Sequence, residues 1–209
     1  MSLAASVRKV VVAALGGGVL MFLCGAAAHV GLGLESRAMR EMPGEESLRA
    51  TLRTMPLTPG MYQYPSMATW EGGDGDATAR DRALAAEWKK GPSGILVVAP
   101  TGEEPMGPVQ LGGEFAGNCL AALLAAVVLL LQGPATWGRR YAGLVLLAPV
   151  SWLTLTLSHG LWYRFPLTFT LDGLFVALLE WAVAGAFIAW VLAAPRAAIG
   201  AANESATGS

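Results

Sequence analysis

Residues 10–34 read VVVAALGGGVLMFLCGAAAHVGLGL and contain no Asp, Glu, Lys or Arg. An α-helix rises about 1.5 Å per residue, so about 20 apolar residues cross the ~30 Å hydrocarbon core of a bilayer. The run is therefore long enough for one crossing. Because every backbone polar group must be paired inside lipid, we expect this run to be a transmembrane helix.

Three further apolar runs follow the first one. They cover residues 115–132, 141–163 and 171–194, and the last two are long enough to span a bilayer. The run at 115–132 is near the short limit, and it lengthens if Gly112 and Gly113 belong to it. The sequence therefore predicts an all-α membrane protein with four transmembrane helices.

The charged residues are concentrated between the first and second runs. The chain is 54% hydrophobic and 14% charged, whereas a soluble domain is about 25% charged. We expect residues 35–114 to form a small α+β extracytoplasmic cap between helices one and two. Within it, residues 45–53 and 77–90 have helical patterns, residues 56–65 are extended or turning, and residues 95–98 indicate a strand.

The short segments outside the spans indicate the orientation. Residues 1–9, 133–140 and 195–209 together contain five Lys/Arg and one Glu. The positive-inside rule places these segments in the cytoplasm, with the tail at 195–209 expected to be disordered. Both termini are then cytoplasmic, residues 35–114 are extracytoplasmic, and residues 164–170 form an outer loop.

The first span has a second interpretation. Arg8 and Lys9 precede the apolar run, and Ala26, Ala27 and Ala28 resemble a signal-peptidase site. Cleavage at this site would leave three spans. We favour retention of the helix, because the apolar run continues past the alanines to residue 34.

Three groups of motifs have a recognisable order and spacing. They are GMYQYP at 60–65, GPSGIL at 91–96 with GEEPM at 102–106, and WYRFP at 162–166 with Phe169 and Thr170. Together with Glu114 and Asn118, these motifs resemble a widespread family of small bacterial multi-pass membrane proteins with no established activity. The resemblance covers residues 58–192, and it implies the same architecture in the bacterial inner (cytoplasmic) membrane but no mechanism. It also implies an aromatic residue where this chain has His159.

Glu180 lies near the middle of the fourth predicted span. An ionisable group at that depth is costly, so it is a functional hypothesis by default. Ser151 and Thr154 fall at a similar depth in the third span and are candidate hydrogen-bond partners. Glu180 then joins helices, pairs with a basic group of another subunit, or carries a proton or cation. Pro149 is expected to break the third span.

His29 and His159 are the only histidines, and the predicted topology places both near extracytoplasmic span ends. Two imidazoles at one membrane level can ligate haem b or a metal. Interfacial hydrogen bonding is the more ordinary interpretation of both residues. The sequence indicates no other cofactor. Cys24 and Cys119 lie in different spans and are expected to be reduced thiols.

Aromatic residues mark the predicted membrane interfaces. Four lie near span ends, as in an aromatic belt: Trp137, Trp162, Tyr163 and Trp190. Arg164 lies in the outer loop, where it is expected either to bind lipid head groups or to pair with the nearby Asp172. Inside the first span, the triplet Gly16–Gly18 favours close approach of a neighbouring helix.

No set of side chains with the order of a catalytic triad or dyad can be assembled, so we expect no enzyme activity. The favoured function is a non-catalytic accessory or assembly subunit of a larger membrane complex, because the spans are apolar and the cap is thin. One alternative is a haem-binding or quinone-linked electron carrier that uses His29 and His159. Another is a small proton-coupled transporter that uses Glu180. The expected partners are the lipid bilayer and other membrane subunits, and the net charge of −1 gives no indication of nucleic-acid binding.

Overall fold

The computed structural model describes residues 3–66, 77–99, 102 and 104–193. Among these residues are four helices long and apolar enough to cross a membrane, as the sequence predicts: Ala4–Ala38, Pro108–Leu131, Trp137–Tyr163 and Leu167–Leu192. The predicted tail at 195–209 lies outside the described residues. The chain divides into a helical unit, Met1–Arg40 with Met106–Ser209, and a polar unit, Glu41–Pro105.

The elements follow one another along the chain as four long helical segments and a short mixed region. In chain order they are α1 Leu3–Ala26, α2 Glu45–Thr54, β1 Gly60–Tyr64, α3 Ala77–Lys90, β2 Gly94–Val98, α4 Pro108–Leu131, α5 Trp137–Val145, α6 Leu147–Ser151, α7 Leu157–Tyr163 and α8 Leu167–Leu192. A π-helical turn, Ala27–Gly31, extends α1, and a second, Trp152–Thr156, joins α6 to α7.

Helix α4 begins seven residues before the apolar run that predicts it, at Pro108 rather than at residue 115. Proline is favoured in the first helical position, because its missing N–H would have no intrahelical acceptor there. The N–H of Gly107 donates to Oε1 of Gln110 at 3.3 Å, which satisfies one group at the helix start. The helix is 24 residues long, so the second candidate span is not short.

The third candidate span is interrupted, as Pro149 predicts. Proline has no N–H to donate to the carbonyl of the residue four positions earlier, and its ring collides with that carbonyl. That residue is Val145, and α5 ends there. Helix α6 restarts at Leu147, and the π-helical turn Trp152–Thr156 follows it. The span is therefore a chain of short helical segments.

Helix α1 packs against α4 and α8, and α5 packs against α8. Small residues allow these helices to come close together. A Cβ atom on Gly18 would lie 2.7 Å from the Cα of Cys119, and one on Gly17 would lie 2.8 Å from Cδ1 of Ile188. The prediction of close helix approach is confirmed. The buried cluster at these contacts is rich in alanine: Ala13, Met21, Ala122, Ala125, Ala126, Leu129, Leu144, Ala184, Ile188, Ala189 and Leu192.

In the polar unit, β1 and β2 pair antiparallel, with Met61 opposite Val97 and Tyr62 opposite Leu96. Strand β2 and both helices are confirmed close to their predicted bounds. Helix α3 ends before Gly91, whose φ of +60° is the left-handed conformation that glycine adopts at helix ends. The sequence identified residues 60–64 only as extended or turning, whereas they form a strand.

Candidate functional site

An ion pair joins exposed Arg37, just after α1, to buried Asp172 in the first turns of α8. Asp172 is only 3% exposed. Its carboxylate accepts a hydrogen bond from Nε of Arg37 at 2.8 Å, a second from Nη2 of Arg37, and a third from the backbone N–H of Glu35 at 3.0 Å. The fork of the guanidinium matches the two carboxylate oxygens, which fixes the geometry of the contact.

Glu35 occupies the space beside this ion pair. Its φ of 64° is uncommon for a residue other than glycine, and its N–H bond to Asp172 helps to hold it there. One carboxylate oxygen lies 3.6 Å from Nδ1 of His29. The other would lie 3.4 Å from a Cβ atom on Gly173. The lack of a side chain at Gly173 therefore makes room for a carboxylate between α1 and α8.

A cavity of about 260 Å³ lies between the end of α1 and the start of α4. His29 and Glu114 are its ionisable lining residues. The others are apolar or small: Phe22, Gly25, Ala26, Val30, Met106 and Leu111. The cavity thus brings one imidazole and one carboxylate to a mostly apolar surface.

Glu180 reaches the same region from α8. Its Oε1 would lie 3.0 Å from a Cβ atom on Gly25, so its carboxyl group lies over a glycine that lines the cavity. Glu114 and Glu35 are within electrostatic range of Glu180. Nδ2 of Asn118, one helical turn beyond Glu114, is buried without a hydrogen-bond partner among the described residues. The carboxyl group of Glu180 therefore lies near the cavity that His29 and Glu114 line.

The sequence predicts hydrogen bonds from Ser151 and Thr154 to Glu180, but in the structure both hydroxyls bond carbonyl groups of their own helix. Ser151 donates to the carbonyl oxygen of Ala148 at 3.0 Å, and Thr154 donates to that of Val150 at 2.8 Å. Hydroxyls in helices bond preceding carbonyls in this way when the hydroxyl side chain folds back on its own helix. Glu180 faces α1 instead, where glycine leaves space for it.

The carboxylate of Asp172 accepts hydrogen bonds from Arg37, a partner that the sequence did not indicate, and the two roles expected of Arg164 stay predictions. Arg164 adopts a left-handed conformation, with φ of 58°, and ends α7. The predicted interface aromatics are all exposed on the helical unit: Trp137, Trp162, Tyr163 and Trp190. Such exposure suits contact with lipid, and a role as interface anchors stays a prediction.

The two histidines have different neighbours. His29 lies beside Glu35, whereas the ring of His159 contacts that of Tyr163 at a centroid distance of 5.5 Å. No group of three or more His, Cys, Asp or Glu side chains in the described part of the chain has a geometry that could hold a metal ion. Haem b ligation by His29 and His159 remains a prediction, and a reduced-minus-oxidised spectrum of the purified protein tests it.

The polar unit presents apolar side chains on its surface. Met61 and Val97 are opposite each other in the sheet and are 65% and 66% exposed. Directly opposed residues of an antiparallel pair project from the same face, so these two side chains form one patch. Helix α2 adds exposed Leu48 and is followed by exposed Met55. No described residue of the polar unit is buried.

No family model, curated protein or solved structure matches this chain. The resemblance to bacterial multi-pass membrane proteins therefore remains an expectation.

Two features of the site escaped the reasoning from sequence. Arg37 and Asp172 are 135 residues apart, so only helix packing brings them together. One feature of the sequence could have indicated the pair. Arg37 and Asp172 have opposite charges and lie at the same end of two predicted spans, where an ionisable residue needs a partner. Glu35 was assigned to the cap as one of many acids, although it lies against α8.

Proposed function

We propose that this protein is a non-catalytic accessory or assembly subunit of a larger membrane complex, and that its polar unit contacts the partner. A single observation carries the proposal: no described residue of the polar unit is buried. A segment that buries its apolar side chains only in part gains correspondingly less stability from them. A partner surface would cover them.

The sheet supports this proposal. A two-stranded sheet without a packed face is marginally stable in water. The face that carries Met61 and Val97 also carries Ile95, which is opposite Gln63. This face combines the apolar Met61, Ile95 and Val97 with the polar Gln63, and an apolar centre beside polar groups is the usual composition of a protein interface.

The first experiment isolates the tagged full-length protein from its native membrane in mild detergent and identifies co-purifying proteins by quantitative mass spectrometry. A stoichiometric membrane partner is the expected result. Recovery of the protein alone, or only with copies of itself, contradicts the proposal.

A matched pair of variants tests the patch itself. Met61→Lys places a charge in the centre of the patch and should reduce partner recovery at least about tenfold, because an interface residue of this kind contributes more than about 1.4 kcal/mol. Ser47→Lys adds the same charge on exposed α2, and recovery should stay unchanged. Equal recovery with both variants would show that the patch is not the contact surface.

A second candidate function is proton-coupled transport through Glu180. It is favoured by the approach of Glu180 to the cavity between α1 and α4, with Glu114 and Glu35 in electrostatic range. Closely placed intramembrane carboxyl groups are typical of proton relays. In proteoliposomes with an internal pH dye, Glu180→Gln should abolish proton flux and Glu87→Gln, on exposed α3, should not. Flux that survives Glu180→Gln excludes this candidate.

A further inference from the structure

The cavity between the end of α1 and the start of α4 lies beside two carboxyl groups that no described basic side chain neutralises. Glu114 lines this cavity of about 260 Å³. Oε1 of Glu180 would lie 3.0 Å from a Cβ atom on Gly25, which is also a lining residue. Among the described residues, neither glutamate has an ion-pair partner, and no lysine or arginine lines the cavity. The cavity therefore favours a positive charge.

The other charged groups at this end of α1 are paired with each other. Glu35 lies 3.6 Å from Nδ1 of His29, so its carboxylate balances a positive charge on the imidazole. Arg37 donates hydrogen bonds to Asp172, which balances the guanidinium. Neither pair has a net positive charge, whatever the protonation of the imidazole. The cavity is thus left with an excess of acidic groups.

A π-helical turn places His29 at the cavity. The turn covers Ala27–Gly31, directly after α1. Turns of this kind are often found at functional sites in helices. His29 lines the cavity while its Nδ1 faces Glu35, whose backbone N–H donates to Asp172 of α8. The imidazole is therefore positioned by contacts that extend to a second helix.

The rest of the lining suits the apolar body of a ligand. It includes Phe22, whose ring meets that of Phe115 edge to face at a centroid distance of 5.8 Å, so one wall is a fixed aromatic ring. Ligand sites are usually mostly apolar with a few placed polar groups, and their volumes are about 300–1,000 Å³. This cavity has such a lining and a volume slightly below that range, so it suits a small molecule.

We propose that this cavity binds a small organic cation, with an ammonium group at the carboxylates and an apolar body against Phe22. An ammonium group donates charge-assisted hydrogen bonds to carboxylates, and an aromatic face attracts it as well. The excess of acidic groups would repel an anion. A neutral apolar molecule would cover Glu114 without giving its carboxylate a partner, which is costly.

A bare metal ion suits this cavity less well than an organic cation does. No group of three or more His, Cys, Asp or Glu side chains in the described ranges could hold one. The assignment also stands apart from the functions proposed above. All the lining residues belong to the helical unit, so binding requires neither a protein partner nor proton flux.

Isothermal titration calorimetry of the purified full-length protein in an uncharged detergent tests this assignment. The probes are phenethylamine, which is protonated at neutral pH, phenethyl alcohol and phenylpropanoate, which share one apolar body and differ in charge. Titrations into empty micelles correct for partitioning into the detergent. We expect phenethylamine to bind at least about tenfold more tightly than the alcohol, because only the amine supplies charge-assisted hydrogen bonds. Phenylpropanoate should not bind.

Two matched pairs of variants locate the site. Glu114→Gln should lower the affinity for phenethylamine about tenfold, whereas Glu46→Gln, which removes the same formal charge from exposed α2, should leave it unchanged. Ala26 and Ala27 are adjacent and both exposed, but only Ala26 lines the cavity. Ala26→Leu should therefore reduce binding by filling the cavity, and Ala27→Leu should not. The alanine pair remains informative if Glu114→Gln fails to fold.

Several outcomes would overturn the assignment. They are equal affinity for phenethylamine and phenethyl alcohol, equal affinities of Glu114→Gln and Glu46→Gln for the amine, and unchanged binding in Ala26→Leu. Displacement of phenethylamine by an equal concentration of phosphatidylethanolamine would assign the site to a lipid head group instead of a small molecule.

Discussion

The helical unit and the polar unit differ in what their apolar residues contact. In the helical unit, alanines and larger apolar residues of α1, α4, α5 and α8 form a buried cluster, whereas no described residue of the polar unit is buried. Helices in lipid associate through close packing of small residues, since apolar side chains gain little by leaving lipid. A water-facing segment depends instead on burying apolar area. The helical unit is thus stabilised by close contacts of its own helices, and the polar unit would, under the function proposed above, be stabilised by its partner.

The largest expected effect comes from a cavity in the buried cluster. Ile188 is fully buried, and Ile188→Ala should reduce the free energy of unfolding by about 3 kcal/mol, because it removes packed atoms and leaves a void. Leu171→Ala, at a position of the same helix that is 47% exposed, should change it by less than about 0.5 kcal/mol. Detergent unfolding titrations measure both. Equal losses would mean that the cluster does not hold the helices together.

A single methyl group at the contact between α1 and α4 should have the next largest effect. Gly18→Ala places a Cβ atom 2.7 Å from Cα and 2.8 Å from N of Cys119, and backbone cannot move aside locally. We expect a loss of about 2 kcal/mol from this overpacking. Gly117→Ala, where a Cβ atom meets no neighbour within 4 Å, should be neutral or stabilising by up to about 1 kcal/mol. The same unfolding titration checks the difference, and two neutral alanines would contradict the close approach.

A smaller effect is expected when the ion pair between exposed Arg37 and buried Asp172 is broken. Asp172→Asn removes the charge that binds Arg37 and should lower the melting temperature of the protein, but by less than Gly18→Ala does. Glu87→Gln breaks an exposed ion pair with Lys90 in the polar unit and should leave the melting temperature unchanged, since exposed pairs contribute little. If Asp172→Asn combined with Arg37→Gln is as destabilising as the sum of the single variants, the two residues are not coupled.

The smallest expected effect is in the polar unit. Met61→Ala removes an exposed side chain and should change the stability of the purified protein by less than about 0.5 kcal/mol. Partner recovery, in contrast, should fall. A stability loss as large as that of Ile188→Ala would show that Met61 is buried within the protein itself, and the contrast between the two units would then disappear.

Continuous and periodic patterns in the sequence predicted most of the helices. The four apolar runs and the helix at 77–90 are predictable because their patterns involve only residues that are close together in the sequence. Strand β1 was missed because prolines at 56, 59 and 65 obscure its pattern, and its hydrogen bonds come from residues 94–98. The start of α4 was missed for a related reason, since hydropathy measures the apolar run rather than the proline that begins the helix.

The candidate site was less predictable than the fold. Glu180 was identified from its depth in the span, but its neighbours were not, because Ser151 and Thr154 bond their own helix. The glycine at position 25 makes room for its carboxyl group, and no local pattern connects residues 25 and 180. Arg37 was likewise assigned to the cap, and its contact with Asp172 depends on how α1 and α8 pack.

Only residues 164–166 connect α7 to α8. The third and fourth spans are also joined by a hydrogen bond, in which the indole N–H of Trp152 donates to the carbonyl oxygen of Thr170 at 2.6 Å. The third span is also the least apolar of the four, and its helix is interrupted at Leu146, three positions before Pro149. A segment with freed carbonyl groups partitions poorly into lipid when it is alone. We therefore expect the translocon to release the third and fourth spans into the bilayer together, as a hairpin formed during synthesis.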